Sequence, residues 1–244
     1  RTVAVEEPRQ RRVSADGVVI MDNTRLTQWG AWEGTITVDG RIIAVAAGTP
    51  GTRDRSWGTR AVGKALETNR PRRTTQAFWL WAPLHFGDRF THLALHEESD
   101  GNRWLETALV LAPIGEGAVP WSTDGVTQGR NIGYELDWEP GRREVRAAKL
   151  TFDHPAEGPL VVEMEKRYTF RMRGIGYGHP TFPHGGNHGE LETMRESRNV
   201  DDYDPNDFTL RHVQNVVTAR LGDRTGIGVF EQIHFGPHQP SGLV

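Results

Sequence analysis

Asp39-Gly40 stands between Gly34-Thr35-Ile36-Thr37-Val38 and Arg41-Ile42-Ile43-Ala44-Val45. A two-residue connection of this type, with both residues at positive φ, turns two β-branched runs back on each other as an antiparallel hairpin. The pattern recurs along the chain. Runs 90–97 and 104–111 flank Asp100-Gly101-Asn102, and runs 210–221 and 226–235 flank Gly222-Asp223. Runs 134–138 and 144–152 flank Glu139-Pro140-Gly141-Arg142, and 160–172 reads as one long strand with Val162, Met164, Lys166, Tyr168 and Phe170 in alternation. With 28 Gly and 14 Pro and a turn signal every eight to twelve residues or so, the spacing argues for an all-β antiparallel fold rather than a βαβ one. The segment 113–123, holding two Gly and two Pro, reads as a linker or long barrel loop. It suggests a division of the chain into residues 1–115 and 116–244.

Charge and cysteine content narrow the function classes. The 29 basic and 32 acidic residues leave a net charge of −3, which gives no electrostatic case for a nucleic-acid or anionic-membrane partner. The chain has no cysteine, which rules out disulfides, thiolate nucleophiles and Cys-based metal centres. Its longest apolar stretches, such as Ala77-Phe78-Trp79-Leu80-Trp81-Ala82, are of strand length and far short of a membrane-spanning helix. The first dozen residues, with Arg9, Arg11 and Arg12, show no clear period.

Within this β pattern a few residue groups carry chemistry. Asp54-Arg55-Ser56-Trp57-Gly58-Thr59-Arg60 joins an acid, two guanidinium groups and an indole at a strand end. A partly buried carboxylate there is held by the arginines or has its pKa moved, and a neighbouring Trp excludes water or faces a cation. The same residues also read as a structural ion pair. On the run 75–82, Ala77, Trp79 and Trp81 share one face while Phe78 and Leu80 share the other, so the strand is buried on both sides or lines a cavity. His92 and His96 share a face of the next run, and His212 and Gln214 share a face further on. His179, His184 and His188, followed by Glu190, fall in a Gly- and Pro-rich stretch. They read as a His/carboxylate metal site, as proton-moving groups lining a pocket, or as imidazoles bracing a loop by bonding its backbone. Neither a Gly-x-Ser-x-Gly elbow nor a phosphate-binding loop is present.

The 54–60 motif, following Gly48 and Gly51, resembles the carotenoid 1,2-hydratase (hydroxyneurosporene synthase, AttH-like) family. Gly176-Tyr177-Gly178-His179-Pro180, His184-Gly185-Gly186-Asn187-His188-Gly189-Glu190, His212-Val213-Gln214, Glu231-Gln232 and Gly236-Pro237-His238 resemble the C-terminal part of bacterial relatives of that family. The resemblance implies two lipocalin-like antiparallel barrels or sandwiches around an apolar ligand. It also implies a longer N-terminal barrel than precedes Asp54 here, so that barrel is expected to be incomplete.

What it implies for chemistry is a cofactor-free acid–base enzyme, a hydratase, dehydratase or isomerase/cyclase, acting on an apolar alkene-containing terpenoid-like molecule. Asp54, His188 and Glu190 are the expected catalytic residues. Trp57, Trp79, Trp81, His92, His96, Tyr177, His179, His184 and Glu231 are expected around the substrate, with no metal. A tertiary carbocation would be stabilised by the faces of Trp57, Trp79 or Trp81, and Glu190 or Glu231 becomes the acid should the arginines hold Asp54 ionised. A non-catalytic carrier of an apolar ligand and a His/Glu metalloenzyme are the alternatives. The oligomeric state is not legible.

Overall fold

The structure is a computed structural model that describes residues 1–244 except 15, 60–75, 173–178, 183–187 and 205–206. Tyr177, His184 and Arg60 therefore lie outside the described residues. The fold is all-β and antiparallel, in two sheets. The first contains β1 (Val5–Glu6), β2 (Gln10–Val13), β3 (Val19–Val38) and β4 (Arg41–Thr59). The second contains β5 (Ala77–His85), β6 (Phe90–Glu97), β7 (Arg103–Leu111), β8 (Val126–Gln128), β9 (Arg130–Trp138), β10 (Val145–His154), β11 (Gly158–Arg171), β12 (His212–Leu221) and β13 (Arg224–Phe235). Its strand order is β8-β7-β6-β5-β13-β12-β11-β10-β9, and β7 approaches β9 to nearly close an antiparallel barrel. Segment 113–123 is a loop between β7 and β8, two neighbours in this sheet.

The hairpins follow from the turn chemistry. Asp39 and Gly40 take φ of 49° and 77°, the positive values that a two-residue turn needs. Val38 and Arg41 close the β3–β4 ladder, which runs on far beyond the expected 34–45 to pair Asp22 with Thr59. Residues 31–44 of this ribbon are all exposed. The β13–β5 seam is closed by small residues, since a Cβ on Gly226 or Gly228 would come within 2.3 Å of the carbonyl oxygens of His85 or Pro83.

The two faces of β5 have different surroundings, and this sets the site. Phe78, Leu80, Ala82 and Leu84 point into the barrel, where they join Leu93, Leu95, Val110, Leu150, Phe152, Val162, Met164 and Phe230 in one apolar cluster. Burying a side chain of this size contributes about 1.5–3 kcal/mol. The ligand-holding lumen implied by the family resemblance is instead a packed core. Trp79 and Trp81 point the other way, and the small sheet lies over them. Val3 and Trp29 pack on Phe90, Leu109 and Leu111 to seal one side of that layer.

Candidate active site

Strand alternation places Asn23, Arg25, Thr27 and Trp29 of β3 on the face turned toward the barrel. Opposite them, the outer face of the barrel presents Trp79 and Trp81 from β5, His92 and His96 from β6, Glu231 from β13, and His212 and Gln214 from β12. The buried layer between the sheets is therefore made of ionisable and aromatic groups.

Arg25 occupies its centre. The guanidinium lies 5.3 Å from the Trp79 ring centre and 5.5 Å from that of Trp81, and its Nε is 3.4 Å from Asp54 Oδ1. Glu7 enters from the N-terminal segment and is almost fully buried. It accepts hydrogen bonds from Thr27 Oγ1 at 2.7 Å and Trp81 Nε1 at 3.2 Å. His92 Nε2 stands 3.1 Å from the same Glu7 oxygen, although its N–H is not aligned as a good hydrogen bond. Burial alone would raise the Glu7 carboxyl; His92, Arg25 and Thr27 overcome burial and hold it at about 2.

A second carboxylate–imidazole pair lies on the other side of Trp79. Glu231 accepts from Trp79 Nε1 at 2.6 Å and from Gln214 Nε2, and His212 Nε2 is 3.4 Å away. Here too burial would raise the carboxyl, and His212, Arg25 and the Trp79 N–H outweigh it and keep it below its ordinary range. Three carboxylates, Glu7, Asp54 and Glu231, thus face one guanidinium.

Several buried polar atoms of this layer have no hydrogen-bond partner among the described residues, among them Glu7 Oε2, His92 Nδ1, Asn23 Oδ1 and Trp29 Nε1. Such atoms carry a desolvation cost unless water or a ligand group meets them. His92 is fully buried, edge-on to Trp29 at 5.5 Å and to Trp81 at 5.7 Å. His96 is layered between Trp79 (4.1 Å) and Trp104 (4.3 Å), with Arg12 over the far face of Trp104.

Of the expected site residues, Trp79, Trp81, His92, His96 and Glu231 share this layer, and Asp54 reaches it through Arg25 from a rim position where its side chain is 40% exposed. The others lie elsewhere. Trp57 pairs with Thr24 on the opposite face of the β3–β4 ribbon and is 48% exposed, because side chains alternate along β4. His179 braces its own loop: its Nδ1 accepts from the backbone N–H groups of Thr181 and Phe182, and its Nε2 is 3.3 Å from Glu196. His188 stacks on Phe182 at 4.2 Å, and Glu190 is exposed. Arg195, five residues on, reaches Asp39 at the tip of the β3–β4 ribbon. Among the described residues, no group of three His, Asp or Glu side chains is arranged to hold a metal ion.

Glu7, Arg25 and Thr27 were not apparent as site residues. The period-two series Asn23, Arg25, Thr27, Trp29 was the available signal, but nothing in the sequence tells a buried polar face from a solvated one.

Comparisons with known proteins add the following. The profile described as "Family of unknown function (DUF8625)" matches residues 1–244. No curated protein matches the chain. Among solved structures, the chain is similar to a crystal structure of kievitone hydratase from Nectria haematococca, with a TM-score of 0.45 and 13% identity, over 93% of this chain and 64% of the other. The chain thus spans less than two thirds of that protein, and a likeness at this level carries no argument about chemistry.

Proposed function

We propose, for a chain that belongs to the Family of unknown function (DUF8625), that the layer between the two sheets is the active site of a cofactor-free acid–base enzyme. Its reaction is addition or loss of water, or isomerisation, at an alkene of an apolar small molecule. The observation that carries this reading is the pair of buried carboxylate–imidazole couples, Glu7–His92 and Glu231–His212, on either side of Arg25 within indole walls. The resemblance of residues 54–60 to the carotenoid 1,2-hydratase family supports the terpenoid-like substrate class.

In the hydration direction, His92 bearing both ring protons donates one from Nδ1, the ring nitrogen that does not face Glu7, to an alkene carbon. Glu231, ionised and steadied by Trp79, Gln214 and His212, takes a proton from the water that adds to the resulting cation. The alkene gains one water in total, and the proton returns from Glu231 to His92 through solvent between turnovers.

The expected role of Trp79 and Trp81 is revised here. Arg25 already occupies the space beside both rings, so a substrate cation is stabilised by the net negative charge of Glu7, Asp54 and Glu231 around a single guanidinium. The indoles serve as apolar walls. Asp54 orients Arg25 and is not the proton donor.

The test is a set of prenylated and polyene substrates incubated with the protein and read by mass spectrometry for gain or loss of water. Glu231→Gln and His92→Asn should each reduce turnover by about 10²–10⁴-fold, the usual contribution of a general acid or base. Unchanged turnover in both variants would remove the proposal.

A further inference from the structure

We propose that Ser241, His238 and Glu97, at the far end of β6 from the Glu7–His92 couple, form a separate nucleophilic site that transfers acyl groups from small anionic esters. The three residues come together because the C-terminal turn docks on the β6–β7 connection. Gln239 N–H donates to Ser99 O at 2.8 Å, and the ring of Pro240 seats on Gly101, whose φ of +86° and missing side chain leave room for it.

His238 Nε2 lies 3.0 Å from Glu97 Oε2, and His238 Nδ1 lies 3.0 Å from Ser241 Oγ. The direction of these bonds is set by Glu97. It also accepts from Arg103 Nε at 2.7 Å and from the Tyr134 hydroxyl at 2.6 Å, and the Tyr134 hydroxyl is held protonated by burial and by Glu97 itself. As an acceptor, Glu97 takes the Nε2 proton. Nδ1 is left with a lone pair, and the Ser241 O–H donates to it. This is the relation of nucleophile, base and orienting acid used by hydrolytic triads, with the two ring nitrogens exchanged. Phe78 stacks on the imidazole at 3.7 Å and 15° and fixes its plane. Burial outweighs Glu97 and lowers the pKa of His238, which keeps the ring neutral as a base must be. Glu97 and His238 are buried, whereas Ser241 is partly exposed.

The substrate class follows from the neighbouring cleft. Gly242 and Leu243, directly after Ser241, line a space of about 420 Å³ together with Glu139, Arg142, Arg211 and Arg143, the last of which already donates to Gly236 O and Val244 O. Guanidinium groups bind carboxylate or phosphate in a two-armed fashion, so the acyl part is expected to bear a second, anionic group. Ser241 Oγ bonds to the ester carbonyl carbon as its proton passes to His238 Nδ1. The bond to the leaving oxygen breaks, and that oxygen takes the proton. Water, deprotonated by the same nitrogen, then cleaves the acyl-serine to release the acid.

The test uses a fluorophosphonate probe, p-nitrophenyl hemisuccinate and the cysteine-free background. The probe should form one adduct, mapped by tandem mass spectrometry to Ser241, and hydrolysis of the hemisuccinate should fall at least a hundredfold in Ser241→Ala and His238→Gln. Because the chain has no cysteine, Ser241→Cys introduces its only thiol. With His238 as base, iodoacetamide should alkylate that thiol at pH 7 roughly tenfold faster than in the double variant that also carries His238→Gln, since thiolate is the reactive form. Equal alkylation rates, or no Ser241 adduct in protein that retains its native circular dichroism, would overturn the proposal and leave the three residues as a latch for the C-terminal turn.

Discussion

Replacing Glu7 by Gln should remove most of the acid sensitivity of folding that this carboxylate confers. In the folded protein its pKa is held near 2 against an ordinary 4.5. A folded value below the unfolded one means that the stabilisation is fully present above about pH 4.5 and is lost as pH falls toward 2. At about 1.4 kcal/mol per pH unit, the interval corresponds to roughly 3 kcal/mol. The carboxylate is deeply buried, so solvent screening removes little of this. At pH 7, Glu7→Gln retains an oxygen for Thr27 and Trp81 but leaves Arg25 and His92 without their shared anion, at a cost of about 3–5 kcal/mol. Urea unfolding of both proteins at pH 7, 5, 4 and 3 gives the two stability curves. The difference between them should shrink by a few kcal/mol as pH falls, because the other carboxylates titrate in both proteins and cancel. Parallel curves would show that Glu7 is not a buried ionised group and would refute the reasoning behind the Glu7–His92 couple.

Asp54→Asn removes a pair whose acid is partly exposed, so it should cost under about 1 kcal/mol by chemical denaturation, well below Glu7→Gln. Leu150→Ala, in the filled barrel, should cost about 2–5 kcal/mol, and a smaller loss would indicate space inside the barrel. Gly228→Ala drives a Cβ against Pro83 O and should lower the melting temperature by several degrees or prevent folding. In an NMR titration, His234 and His85 should remain neutral at pH 5.5, because burial holds them near 3 and 4; titration near 6.5 would contradict their burial.

The strands were legible because turn chemistry is local. Asp39-Gly40, Asp100-Gly101 and Gly222-Asp223 each specify a reversal within two or three residues, and the alternation on both sides then gives the faces. That alternation correctly separated Trp79 and Trp81 from Phe78 and Leu80, and put His92 and His96 on one face. It could not tell which face turns into the barrel, because both are buried and apolar enough for either. The family resemblance placed the ligand in the lumen, whereas the ionisable groups lie on the outer face beneath β1 to β3. Glu7 and Arg25 were hidden for a related reason: a lone acid in an aperiodic segment and a lone arginine gain meaning only from packing across more than 50 residues of sequence. The Ser241–His238 contact is local, but Glu97 lies 141 residues away from His238, and no elbow motif announces the serine.

The layer beneath the small sheet, rather than the barrel interior, is where substrate must bind if acid–base chemistry occurs here. An apolar alkene analogue carrying a diazirine, photolysed with the protein and mapped by tandem mass spectrometry, tests this directly. Crosslinks to Trp79, Trp81, His92 or Trp104, competed away by an unlabelled polyene and reduced by Arg25→Leu, are the expected result. Crosslinks confined to Leu80, Leu95, Leu150 or Phe152 would contradict it.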